Sequence, residues 1–125
     1  MKRALTDYER EILERLLEPA FLGRDQLKLQ VKNAKAIPTN DPDNYGSIYL
    51  EGPSQPKANV AGRVPVAATA KDEDGILIDI LLHVIDGLVN ELEILKADGT
   101  LIKLRFKAED MVVTVNKTGS FESEI

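Results

Sequence analysis

The chain has 125 residues, no cysteine, one histidine and a formal net charge of −5. That length suits a single domain, which buries about two-thirds of its unfolded surface without metal or disulfide staples. The missing cysteines exclude disulfides, thiolate catalysis and zinc ribbons, and one histidine leaves a zinc site little beyond carboxylates.

The first predicted element is a helix in "LTDYEREILERLLEPAF". Thr6 and Glu9 have the spacing of a capping box, in which each side chain satisfies a backbone N–H at the helix start. Tyr8, Ile12, Leu13, Leu16 and Leu17 share one face, and Pro19 stops the helix near Glu18 to Ala20. The segment is charged throughout, so no leader or membrane span is expected there. A short second helix follows in "GRDQLKLQVKNAKAIP", where Leu27, Val31 and Ala34 keep helical spacing although Leu27, Leu29 and Val31 also alternate like a strand. Lys28, Lys32 and Lys35 form the only local basic excess, read as a solvated face. Residues 1–36 hold eight Lys/Arg against six Asp/Glu, and residues 37–125 hold eight against fifteen. So acidic a chain is a poor phosphate binder, and no nucleic-acid partner is expected.

A strand is expected around Lys35 to Thr39, a turn-rich loop in "NDPDNYG", a short strand in "SIYLE" and an irregular connection in "GPSQPKANVAG". Then "EDG" (73–75), "IDG" (85–87) and "ADG" (97–99) separate apolar runs at intervals of twelve. An Asp-Gly pair suggests a two-residue hairpin loop. At 86–87, however, such a loop puts Glu91 and Glu93 on the face of Ile80 and Leu82. A three-residue loop with a left-handed glycine keeps even positions together, so Ile80 is expected opposite Leu92 and Ile78 opposite Ile94. Applied three times, this gives a four-stranded meander over 64–72, 76–84, 88–96 and 100–106. Its inner face carries Ile78, Ile80, Leu82, Asn90, Leu92, Ile94, Ile102, Leu104 and Phe106. Its outer face pairs Glu93 with Lys103 and Glu91 with Arg105.

His83 falls on that outer face without a nucleophile or orienting group in strand geometry, so it is read as a surface histidine. Asp79, Glu91 and Glu93 read as a solvated, salt-bridged face. The Asp-rich turns fail as calcium loops, because Ala70 and Leu81, or Gly52, stand where carboxylate ligands are required. No catalytic residue, metal site or cofactor is therefore predicted. Asn90 is the one strongly polar residue of the inner face, and a buried amide either ties down a loop or lines a pocket, here with Leu82 and Phe106. Leu77, Leu95 and Leu101, with Leu81 and Val89, form an apolar row on the outer face, the expected partner surface.

The stretches "LTDYEREILERLLEPAF", "AKAIPTNDPDNYGSIYL" and "DEDGILIDILLHVIDGLVNELEILKADG" resemble, in that order, a family of small bacterial domains of unknown function. The resemblance covers about residues 5–106 and implies a cystatin-like fold, helices cradled by a curved antiparallel sheet; it transfers no catalytic residue. The expected architecture is one α+β domain over 1–125, with helices in about 6–32, a sheet in about 35–115 and a tail at 116–125. The expected role is a non-catalytic cytoplasmic module that binds a protein partner or a second copy of itself. The alternative is a small-ligand domain or minor enzyme with its pocket near Asn90.

Overall fold

The computed structural model describes residues 1–39 and 45–116. Most of the expected "NDPDNYG" turn and the tail beyond Asn116 lie outside the described residues. Helix α1 (Asp7–Leu16) starts with the capping box its sequence announces. Thr6 Oγ1 accepts the Glu9 N–H at 3.1 Å, and Glu9 Oε1 accepts the Thr6 N–H at 2.9 Å. Both Glu9 oxygens also take a guanidinium nitrogen of Arg3 at 2.8 Å. Burial alone would raise the Glu9 pKa, but Arg3 and the Thr6 N–H together hold it below the usual glutamate value. Helix α2 (Arg24–Lys32) buries Leu27, Val31 and, just beyond it, Ala34, while Leu29 is exposed. Helical spacing thus wins over the strand-like alternation.

Seven strands form one antiparallel sheet: β1 (Arg3–Ala4), β2 (Lys35–Pro38), β3 (Ile48–Glu51), β4 (Val66–Lys71), β5 (Leu77–Ile85), β6 (Leu88–Lys96) and β7 (Val112–Val115). Their order is β1-β2-β3-β6-β5-β4-β7. α1 packs against β4 and α2 against β6, so the fold is α+β with a core between helices and sheet. Ile12, Leu13, Leu16, Leu27, Ile78, Ile80, Leu82 and Leu92 are fully enclosed there. Burying one such leucine or isoleucine is worth about 1.5–3 kcal/mol, so this layer is the main drive to fold.

The even parity agrees with expectation, but the register does not. Ile80 lies opposite Ile94 and Ile78 opposite Lys96, two residues along from the expected Leu92 and Ile94, because the loop is shorter and a bulge follows it. Strands β5 and β6 join through a two-residue loop, Ile85 opposite Leu88, with Asp86 at φ 52° and Gly87 at φ 77°. Both positive angles mark a type I′ turn, where Asp-Gly is strongly favoured. A bulge at Asn90 then restores the even register: Val84 faces Val89, whereas His83 faces Glu91, Leu82 faces Leu92 and Ile80 faces Ile94. Next to the turn, Val84 and Val89 form a pair whose N–H groups point away from each other's strand and find partners outside the hairpin. Arg63 O accepts that of Val84 at 2.7 Å and Gln30 Oε1 that of Val89 at 2.8 Å. At 72–76 the three-residue loop does form, with Gly75 at φ 82° and Lys71 opposite Leu77.

The expected fourth meander strand at 100–106 is absent; that stretch is irregular and Leu104 is exposed. Two physical facts displace it. The free edge of β6 is already taken by β3, through Ile48 with Leu92 and Tyr49 with Glu91. The backbone N–H groups of Lys103 and Leu104 are captured by the Asp72 carboxylate. β7 closes the opposite edge instead, pairing Val115 with Val66 and Val112 with Thr69.

Candidate functional site

The parity that places Leu92 and Ile94 inward also places Lys96 inward, at the end of β6. Only 2 % of it is exposed. Its Nζ lies 2.8 Å from Asp72 Oδ2 and 2.6 Å from Asp74 Oδ2, and donates to Leu101 O at 3.1 Å. Asp72, 5 % exposed, accepts the N–H groups of Glu73 at 2.7 Å, Lys103 at 2.7 Å and Leu104 at 2.9 Å. Burial would raise the Asp72 pKa, yet Lys96 and the three N–H groups hold it far below the usual aspartate range. Lys96 and the Ile76 N–H likewise lower Asp74. Burial pulls Lys96 down, and the two carboxylates overcome it and raise its pKa. The lysine is therefore locked as an ammonium, which makes it a clamp and neither a nucleophile nor a base. Inward position 96 was the available signal for this cluster, and the D-x-D-G turn supplies its two anions.

The clamp fixes the irregular segment 97–106 against α1. Tyr8 Oη donates to Phe106 O at 2.6 Å, their ring centroids are 5.8 Å apart, and the Arg105 guanidinium sits 3.7 Å above the Tyr8 ring. Burial raises the Tyr8 phenol, with Arg105 pulling the other way. Between segment and helix lies a cleft of about 550 Å³ with Ile12, Ile94, Ile102 and Phe106 as apolar walls and Tyr45 and Arg105 beside them. Of the three residues expected around a pocket, Phe106 alone lines this cleft. Leu82 is sealed in the core, and Asn90, displaced by its bulge, is half-buried on β6. The buried amide that ties down a loop is Gln30 of α2. Its Nε2 donates to Pro56 O and Gly87 O, both at 2.8 Å, while Oε1 holds Val89 N–H.

His83 does lie on the outer face, but it is not a surface side chain: it is 9 % exposed. The connection before β4 brings Arg63 over it, and Arg63 Nε donates to His83 Nδ1 at 3.1 Å. Nδ1 then serves as acceptor, so Nε2 carries the hydrogen and meets Glu93 Oε1 at 2.8 Å. The expected Glu93–Lys103 and Glu91–Arg105 pairs do not form, since Glu93 serves His83 and Arg105 covers Tyr8. No serine, threonine or second histidine joins this Arg–His–Glu line among the described hydrogen bonds.

The outer sheet face keeps part of its expected row. Leu77 is 42 % exposed and Leu81 and Leu95 are half-buried, but Val89 is enclosed beyond the bulge and Leu101 sits on the cleft side. Val112 of β7, 66 % exposed, joins the row opposite Thr69. Register sets Asp79 between Thr69 and Leu95. It is half-buried, its pKa is raised by burial alone, and it has no ion pair or hydrogen-bond partner among the described residues. Among the described residues no helix is long and apolar enough to cross a membrane, and no three His, Cys, Asp or Glu gather as metal ligands.

The sequence model of a family described as "Domain of unknown function (DUF6984)" matches residues 2–106. No curated protein and no solved structure matches the chain.

Proposed function

Starting from the fact that the chain belongs to the DUF6984 family of domains of unknown function, we propose that it is a non-catalytic protein-interaction module. Its working surface is the outer face of the sheet. The observation that carries this reading is the one-sided cover: both helices pack on one face, and the other presents Leu77, Leu81, Leu95 and Val112 around unpaired Asp79. An antiparallel sheet tolerates water on one face, which usually reads polar; four exposed or half-buried apolar side chains grouped around one carboxylate there fit a partner. Helices on a single face of an antiparallel sheet also support the cystatin-like assignment. The absence of cysteine is compatible with a bacterial cytoplasm, and both are part of the proposal.

The test is retention of a protein, or of a second copy, by immobilised wild type against Leu95→Glu, with sedimentation in parallel. Glutamate at 95 adds a charge beside Glu93 and Asp79, so the captured partner or the dimer should be lost while the melting curve barely moves. A wild type that stays monomeric at high micromolar concentration and retains no protein removes the interaction reading.

A further inference from the structure

Apart from the sheet face, the cleft between α1 and residues 101–106 has the makings of a second site. We propose that it binds a small apolar monocarboxylate, with the carboxylate on Arg105 and the hydrocarbon against Ile12, Ile94, Ile102 and Phe106. The volume of about 550 Å³ falls within the range of about 300–1,000 Å³ typical of small-molecule sites. Apolar walls with few polar groups favour a mostly hydrocarbon ligand, and the polar groups decide its head.

Arg105 is the cation that decides it. Its guanidinium carbon is held 3.7 Å from the centre of the Tyr8 ring, and a guanidinium has five N–H donors, enough to give a carboxylate two parallel bonds beside that contact. Among the described residues Arg105 has no carboxylate partner. Glu9, the one acid lining the cleft among the described residues, is already neutralised through both oxygens by Arg3. It therefore neither competes for Arg105 nor repels an entering anion. The wall itself is built before any ligand arrives, because Asp72 and Lys96 hold its backbone and Tyr8 holds Phe106 O. Preorganisation of that kind lowers the cost of binding.

The experiment titrates the full chain with octanoate and with 4-phenylbutyrate, following backbone amide resonances, and repeats it with octylamine. Saturable shifts should appear at Gly46, Ile94, Ile102 and Phe106, with octylamine at least tenfold weaker than octanoate. Arg105→Gln should weaken octanoate at least tenfold and Arg105→Lys less, both keeping the wild-type spectrum elsewhere since the side chain is exposed. Absence of saturable shifts with either acid at millimolar concentration overturns the proposal. So does octylamine binding as well as octanoate, a comparison that needs no variant.

Discussion

The two faces of this one sheet treat polar groups in opposite ways. On the helix side every buried polar side chain among the described residues is satisfied, Gln30 by three backbone groups and Asp72 by a lysine and three N–H donors. On the open side Asp79 is half-buried among Thr69, Leu81 and Leu95 and meets no cation. A fully enclosed polar group must be satisfied within the protein, whereas a half-exposed carboxylate keeps water as a partner and bears only a partial desolvation cost. The helix side thus holds the molecule together, while the open side carries a carboxylate that no cation meets among the described residues.

The largest expected effect comes from breaking the ion clamp. Lys96→Met removes the cation and leaves Asp72 enclosed beside an apolar stem, the situation in which a buried pair is most damaging to disrupt. The melting temperature should fall by on the order of 10 °C or more. The amides of 101–106 should lose protection first, because Asp72 is what holds that segment. A variant that melts like wild type would show that the clamp contributes nothing beyond an apolar contact.

Gln30→Met sharpens the same side with a neutral group of similar shape. Val89 N–H and Pro56 O would lose their Gln30 partner, whereas Gly87 O keeps the Ala58 N–H at 2.9 Å. The cost should be about 2 kcal/mol, chiefly from the buried Val89 N–H deprived of its acceptor, read as a shift in the urea midpoint. A change under about 1 kcal/mol would mean that water reaches the bulge.

How much of this was legible in the sequence follows from the range of each interaction. The capping box at Thr6 and Glu9 and the face Ile12–Leu13–Leu16–Leu17 are local, and both were read directly. Even parity along β5 and β6 was also readable, because alternation fixes which side chains share a face. How that parity is kept was not, since the outward N–H groups of Val84 and Val89 beside the bulge are satisfied by Arg63 O and Gln30 Oε1, both distant in sequence. The burial of His83 escapes the sequence for the same reason: strand geometry gives its face, and a connection without pattern supplies the arginine that covers it. Segment 100–106 alternates like a strand, but Asp72 and the occupied edge of β6 overrule it. Gln30 did leave a signal, lying three residues after Leu27 and four before Ala34 on the buried stripe of α2.

Asp79→Asn is the smallest expected effect and the one with the opposite sign. Burial raises the Asp79 pKa above the ordinary aspartate value, so the folded state holds that proton more tightly than the unfolded chain does. A raised value contributes stability below the unfolded pKa and loses it as pH rises through the folded one. At neutral pH the ionised, half-desolvated carboxylate is therefore a burden, and the neutral amide should relieve it. The charged neighbours on that face are Lys71 on β4 and Glu93 on β6, and neither pairs with Asp79, Glu93 being held by His83. The variant should melt about 2 °C higher at pH 7, a modest gain because solvent screens a half-exposed site. That gain should shrink as pH falls through the raised Asp79 value toward the ordinary carboxylate range of about 4. Asp72 runs the other way: its value is depressed, so its contribution is present above the unfolded pKa and drains away as acid carries the protein toward the folded one. Melting curves of wild type and Asp79→Asn between pH 7 and pH 4 separate the two, since both chains share the Asp72 loss and differ only at 79. If Asp79→Asn instead lowers the melting temperature at pH 7, the carboxylate has a native partner, and the contrast between the two faces fails at the residue that defines it.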